Sequence, residues 1–326
     1  MDLIEFKRKF EHKKVIEEPN FVSPRPLVSV CVQTYQHANF IKECLDSILM
    51  QKTNFEFEIL LGEDASTDGT REICLEYAEN FPNKIRLYLH RRENNIGIGG
   101  SPTGRFILMT NLFSARGEYI ALCEGDDYWT DPYKLQKQID FLEANPEYVA
   151  CFTNATILNE TSNITKDFIK LKEEKTFKIN EIIKKGGGFF PTPTLAFRNI
   201  IKEYPKFIFE VKSGDRALSL LLGDKGKFFF LNINSAVYRI HAQGIFSRNL
   251  FDKRKRNEIN SNNIKLLKEF NSYTRSKYNG EIKDAISLLS KKILLNESWK
   301  NISRSNLLKS LKLKDMVSLL KTKAFK

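Results

Sequence analysis

The segment EYIALCEGDDYW, residues Glu118 to Trp129, decides the reading of this chain. Glu118 to Cys123 is a short run of apolar and aromatic residues, the pattern of a buried strand. It runs straight into Glu124-Gly125-Asp126-Asp127, which sets three carboxylates in four residues at the end of that strand. Such crowding is costly unless a cation neutralises it. Hard oxygen donors suit Mg²⁺ or Mn²⁺, which also share their shell with substrate phosphates. The bland alternative is an acidic helix start, because Asp131-Pro132 opens a helix and acids favour that place. The apolar strand in front and the density of charge favour the cation.

Working outward, the same alternation recurs. Strands are expected at 27–32, 55–61, 84–89, 118–123 and 148–158, and helices at 37–51, 68–80, 103–115 and 131–144. Alternating strands and helices imply an α/β fold, a mostly parallel sheet covered by helices on both faces. Ligands bind such sheets at the carboxyl ends of the strands. The turns after Val32, Leu61, Leu89 and Cys123 are therefore the places to search. Residues 159–178 are polar and read as a loop, and Asn94 to Arg105 reads as a flexible Gly-rich loop with Arg105 as a phosphate contact. A strand is expected at the PTPTLAFR stretch, a helix from Ser213 to Leu222, and two short strands around Phe228 and Ala236.

The 326-residue chain is long enough for a sizeable core, and 41% hydrophobic residues predict that it folds. Its formal charge of +12 is concentrated in one part. Residues 251–326 hold 19 Lys and Arg against 7 Asp and Glu, and the first 250 are balanced. A nucleic-acid-binding body is not expected from that distribution. The organisation reads as a Pro-rich lead-in (1–26), a catalytic domain (27–250) and a basic helical extension (251–326). Five widely spaced cysteines without CxxC spacing argue against zinc and fit a reducing cytosol. The N-terminus has no apolar signal core, and no apolar run is long enough to span a membrane. A cytoplasmic protein follows, with the basic tail a candidate for peripheral contact with the anionic inner face of a membrane.

Two more motifs end at expected strand termini. GEDASTDGT, Gly62 to Thr70, places Asp64 just past the second strand, with Asp68 as a helix cap. QTYQ, Gln33 to Gln36, follows the first strand and offers polar side chains and one aromatic ring. Together PLVSVCVQTYQ, LLGEDASTDGT and GEYIALCEGDDYW resemble the family 2 glycosyltransferases, inverting enzymes of the GT-A fold, over roughly Pro26 to Ser247.

The resemblance implies roles. Gln33, Thr34 and Tyr35 would contact the nucleotide of a nucleotide-diphosphate sugar, and Asp64 would hold its base. Glu124 stands where the family has Asp for the ribose. Asp126 carries the metal, with Asp127 beside it on metal or donor. The catalytic base maps to Asp215 in SGDRALSLLL, at a helix start that also favours a carboxylate for local reasons. In VYRIHAQGIFS, Val237 to Ser247, Arg239 maps to the donor diphosphate and His241 to the metal shell. Trp129, Thr192 and Thr194 fall on the acceptor side. The implied acceptor is a glycan or lipid-linked glycan, in surface polysaccharide synthesis. Two rivals stand against this: a sugar nucleotidyltransferase, whose Gly-rich signature is missing after Val32, and a non-catalytic scaffold, which has no need of Asp64, Asp126 and Asp215.

Overall fold

The computed structural model describes residues 1–160, 162–186, 188–242, 244, 253–303 and 305–324. Gly187, Gln243, the end of the Val237–Ser247 motif from Ile245 on and the expected boundary at 250 lie outside the described residues.

The strands in chain order are β1 (Ile16–Glu17), β2 (Val28–Thr34), β3 (Phe57–Glu63), β4 (Ile85–Leu89), β5 (Gly97–Ile98), β6 (Ser101–Pro102) and β7 (Tyr119–Glu124). They continue with β8 (Tyr128–Trp129), β9 (Tyr148–Asn159), β10 (Ile164–Asp167), β11 (Lys175–Phe177), β12 (Ala196–Arg198) and β13 (Lys227–Ile240). The helices of the first part are α1 (Leu3–Phe10), α2 (Ile41–Leu49), α3 (Thr70–Asn80), α4 (Arg105–Ser114) and α5 (Lys134–Ala144). Then follow α6 (Ile179–Lys185), α7 (Gly214–Lys225), α8 (Lys253–Tyr273), α9 (Asn279–Leu294), α10 (Trp299–Ser303) and α11 (Leu313–Ala324).

One large sheet runs β1-β4-β3-β2-β7-β12-β9-β13-β11. Its long ladders, β2 with β3 and β7, β3 with β4, and β9 with β13, are parallel. Successive residues of each strand feed opposite faces. Val28, Val30 and Val32 join one core with Ile59, Leu61, Ala121 and Cys123, whereas Cys31, Leu60, Ile120 and Leu122 join the other. Both faces are buried, so the strands read as unbroken apolar runs. Gly62 lets α4 sit close on β3: a Cβ there would lie 2.3 Å from Ile107 Cγ2. The chain leaves β2 toward β3 and β4, then returns as β7 on β2's other side. This reversal opens a crevice at the carboxyl ends of β2 and β7.

The structure departs from the sequence reading in six places. The lead-in is part of the body: Phe6 of α1 is fully buried against Phe106 and Phe209, and β1 pairs with β4. The expected loop at 159–178 contains β10 and β11, and β5 and β6 form a hairpin where a flexible loop was expected. The PTPTLAFR stretch opens as a short 3-10 turn and only its end is strand. The two short strands around Phe228 and Ala236 are one strand, β13, with register shifts against β9. The helices beyond 252 also pack on the main core through Leu266, Leu267, Phe270 and Ile282.

All five thiols are free and buried. Among the described residues no helix is long and apolar enough to cross a membrane. A buried histidine contributes to the pH dependence of stability. His90 is wholly buried, edge-on to Phe106, with neither ring nitrogen hydrogen-bonded. Burial, helped by nearby Arg71, pushes its pKa down to about 3. The neutral ring's stability is fully present above the unfolded value near 6.5 and drains away as pH falls toward 3. Urea unfolding should show the wild type losing about 2 kcal/mol more than His90→Phe between pH 6.5 and 5, because raised carboxyls such as Glu124 titrate alike in both proteins. Equal pH slopes in the two proteins would place the titrating group elsewhere.

Candidate active site

The crevice is built from the loops after β2 and β3, which are tied together. The Gln36 amide N–H donates to Ser66 Oγ at 3.0 Å, and its side chain exchanges hydrogen bonds with Thr67 at 3.1 and 3.0 Å. The His37 and Ala38 amides donate to Thr70 Oγ1 and Asp68 Oδ2. Gly69, not Asp68 as expected, occupies the cap position of α3, and Asp68 accepts from the Thr70 N–H and hydroxyl as well as from the neighbouring loop. Gln36 and Ala65 hold φ of 56° and 57°, a region side chains rarely adopt. The paired loops enforce it and so aim Tyr35, His37 and Asp64 at the crevice.

Asp64 is buried at the end of β3. It accepts a hydrogen bond from Asn95 at 2.9 Å and pairs with Arg92. Burial pushes its carboxyl pKa up, against those two partners. The Arg92 guanidinium lies 3.9 Å over the half-exposed Tyr35 ring. Arg92 and Asn95 were not singled out from sequence; their only signal is a charged and polar run at the end of β4. Gln33 lies in register between Gly62 and Glu124.

The acidic turn is locked to the sheet. Gly125 donates to the Gln33 carbonyl at 2.9 Å, and a Cβ on Gly125 would lie 2.8 Å from Thr34 Cβ. Asp126 Oδ2 faces His241 Nε2 at 3.0 Å and His37 Nε2 at 3.9 Å. Burial opposes its ionisation, but the hydrogen bond to His241 and the field of His37 hold its pKa below the ordinary value. His37 was also missed in sequence, although it directly follows the QTYQ run. Glu124, half-buried beside it, is pushed up to about 8 by burial, then by the charges of Asp126 and Asp215. Packing links α7 to this side: a Cβ on Gly104 would lie 3.9 Å from Gln33 Oε1, and next to it Arg105 packs under Gly214, the neighbour of Asp215.

Several side chains expected at the ligand turn inward instead. Asp127 is buried and accepts the Arg239 backbone N–H at 2.8 Å, so it anchors the turn to β13. Arg239, expected at the diphosphate, brackets the turn from behind. It reaches the Asp126 carbonyl at 3.0 Å, Glu160 at 2.9 Å and Glu43, with its guanidinium over Tyr128. Trp129, expected at the acceptor, is core: its Nε1 donates to the Pro193 carbonyl at 2.7 Å, and Lys134 lies 4.1 Å over its ring. Thr194 is buried with its hydroxyl on Pro191, while Thr192 stays half-buried.

Arg105 also changes role. It is buried, 4% exposed, and donates to the carbonyls of Ile208, Val211 and Lys212. It packs so closely under Gly214 that a Cβ there would fall 2.4 Å from its guanidinium carbon. Arg105 thereby fixes the segment that presents Asp215, exposed in the first turn of α7. Burial lowers its pKa to about 10, which leaves it charged at neutral pH. Arg105→Ala would strand buried carbonyls and should cost about 2–4 kcal/mol of stability in urea melts. A loss within 0.5 kcal/mol, roughly the range of a surface substitution, would refute the clamp.

Four buried polar atoms of the crevice have no protein partner: Thr34 Oγ1, His37 Nδ1, Asn95 Oδ1 and Glu124 Oε2. Native proteins seldom leave such groups unpaired, and these four are available to a polar ligand or to ordered water. No ready cluster of three or more metal ligands exists among the described residues. The Asp126–His241 pair still fits a divalent cation that takes part of its shell from phosphate oxygens, because Mg²⁺-type sites use few protein ligands.

The sheet, its switch-point crevice and the acidic turn define the class: a GT-A glycosyltransferase fold. The chain belongs to glycosyl transferase family 2, whose profile matches residues 29–204. An uncharacterized Mycobacterium tuberculosis protein, Rv1520, is 34% identical over 228 residues, 70% of this chain. This chain spans 63% of that relative's length. The putative teichuronic acid biosynthesis glycosyltransferase TuaG of Bacillus subtilis is 29% identical over 153 residues, 47% of this chain and 56% of TuaG. Among solved structures, the mannosyltransferase PcManGT of Pyrobaculum calidifontis, in complex with GDP-Man and Mn²⁺, superposes with a TM-score of 0.51 at 16% identity. That match covers 98% of this chain and 91% of PcManGT, and it speaks to the fold.

Proposed function

We propose that the chain is an inverting glycosyltransferase. It moves a sugar from a nucleotide-diphosphate donor to a hydroxyl of a glycan or lipid-linked glycan. It works in surface polysaccharide synthesis, at the inner face of a membrane. The observation that carries this reading is the meeting of unpartnered buried polar atoms, the Asp126–His241 pair and Asp215 at one switch point.

In this reading the nucleobase lies at Tyr35 and Thr34, its edge read by Asp64, Asn95 and Arg92. Glu124 accepts from the ribose, with Gln33 beside it. Asp126 and His241 would hold Mg²⁺ or Mn²⁺ on the donor diphosphate. A divalent cation, when bound, neutralises the charge that develops on the leaving group. Asp215 takes the proton of the acceptor hydroxyl as that oxygen bonds to the anomeric carbon. The bond from that carbon to the diphosphate oxygen breaks on the opposite face, and one displacement inverts the centre. Thr192, half-buried, is left as the acceptor-side candidate. The name of TuaG supports a polysaccharide product, and the contents of the PcManGT complex support a nucleotide sugar with a divalent cation.

The test is a thermal-shift panel of UDP-, GDP- and dTDP-sugars with Mn²⁺ or Mg²⁺, followed by assay of nucleotide release. Saturating a site a hundredfold over Kd adds about 2.7 kcal/mol, which raises Tm by several degrees. If no sugar nucleotide shifts Tm or is turned over, the reading fails and a scaffold remains.

A further inference from the structure

We propose that the outer face of α11 docks the protein on an anionic lipid bilayer. This deepens the membrane-face part of the reading above and rests on it for its purpose. The inner face of α11 is fixed to the body. Asp315 accepts from Ser287 Oγ at 2.6 Å and Lys291 at 3.2 Å, and Leu319 is buried with Leu294 and Ile302. Lys323 donates to the Glu297 carbonyl at 2.5 Å.

The outer face is different. Leu313, Val317 and Leu320 are 78%, 42% and 47% exposed. Their i, i+4, i+7 spacing makes one continuous apolar stripe along the helix. Turned at about 100° per residue, Lys314 and Lys321 border one edge of the stripe, while at the other edge Lys312 pairs with Asp284 and Lys323 is held on the Glu297 carbonyl. An apolar stripe bordered by lysines is an arrangement that lies in a bilayer interface. The stripe enters the acyl boundary and the long stems let the ammonium groups reach the headgroups. Trp299, half exposed, follows Glu297 by two residues and so lies near the C-terminal end of α11. An indole there suits the headgroup level.

Charge complementarity selects the occupant. The excess positive charge of the chain is confined to residues 251–326, the part that carries this face. A neutral protein surface would have no use for it, and two copies of the face would bring like charges together.

The experiment is flotation of the full chain with phosphatidylcholine vesicles, with and without phosphatidylglycerol. Sedimentation velocity and donor thermal shift are run on the same samples. The wild type should float with anionic vesicles, less so at high salt, and not with phosphatidylcholine alone. The triple variant Leu313→Glu/Val317→Glu/Leu320→Glu should lower partition at least about tenfold, with unchanged Tm. Lys314→Glu/Lys321→Glu should weaken anionic binding alone. Equal flotation of triple variant and wild type would overturn the proposal. So would a wild-type dimer that the triple variant disperses without any vesicle binding, because a second copy would then be the occupant. Vesicle binding without any donor shift would sink the transferase reading and leave the docking face standing.

Discussion

Asp215→Asn is expected to lower kcat about a thousandfold, with donor Kd changed less than about twofold. Asp215 is exposed on the first turn of α7, and its charge is felt at Glu124 across the crevice. Asn keeps its size and hydrogen-bonding reach but cannot take a proton from the acceptor hydroxyl. General-base removal costs about 10²–10⁴ in rate, and a thousandfold is about 4 kcal/mol of barrier. In the proposed reading the donor is held at Tyr35, Asp64 and Asp126 rather than at Asp215, so calorimetry with a sugar nucleotide should read nearly the same affinity. The fold should also survive, since α7 is held by buried Leu218, Leu221 and Leu222 and by Arg105 under Gly214. Unchanged turnover would remove Asp215 as the base. Lost donor binding would move it to the donor site.

The parts legible in sequence were those decided by short-range pattern. Val28, Val30 and Val32 alternate with residues that are also buried, and such runs announce strands covered on both faces. The acidic turn was legible because three like charges at a strand end have few stable explanations. Direction was not legible. Arg239, Arg105, Trp129 and Asp127 are residue types that serve ligands and cores equally well. Their inward turn depends on carbonyls and amides at 126, 193, 208, 211, 212 and 239, distant in sequence and supplied only by the tertiary structure. β13 was divided in the sequence reading because its exposed Asn232 and Asn234 imitate a turn. Its ladder with β9, far away in the chain, shifts register there and resumes on the far side, so the strand continues. His37 and Arg92 escaped notice because a single His or Arg carries no pattern until the fold sets it beside Asp126 or Asp64.

The second large effect belongs to Asp126. Asp126→Asn should lower kcat/KM by about 10²–10³ and shift the Mn²⁺ requirement to higher concentration, with little change in Tm of the metal-free protein. The two halves of that expectation have separate causes. Asp126 is the acid of the turn that faces two imidazoles, His241 at 3.0 Å and His37 at 3.9 Å, so it is the carboxylate placed to share a cation with nitrogen ligands. Losing its charge weakens the attraction for a divalent ion and, with it, the stabilisation of a departing diphosphate, a term of several kcal/mol. The metal-free fold loses little because Asn still hydrogen-bonds His241 in either ring tautomer. It also gains, because burial and the Asp126 charge are the two largest forces raising the pKa of both Glu124 and Asp127. Removing that charge relieves a repulsion that the unliganded site otherwise bears. Asp127→Asn should behave in the opposite way. Its carboxylate is buried on the Arg239 N–H and faces no imidazole, so it should alter Tm more than the Mn²⁺ dependence. Metal titrations of turnover and melting curves on the two variants decide the matter. If Asp127→Asn shifts the Mn²⁺ midpoint and Asp126→Asn does not, the cation is held by the inner carboxylate and the pairing with His241 is structural.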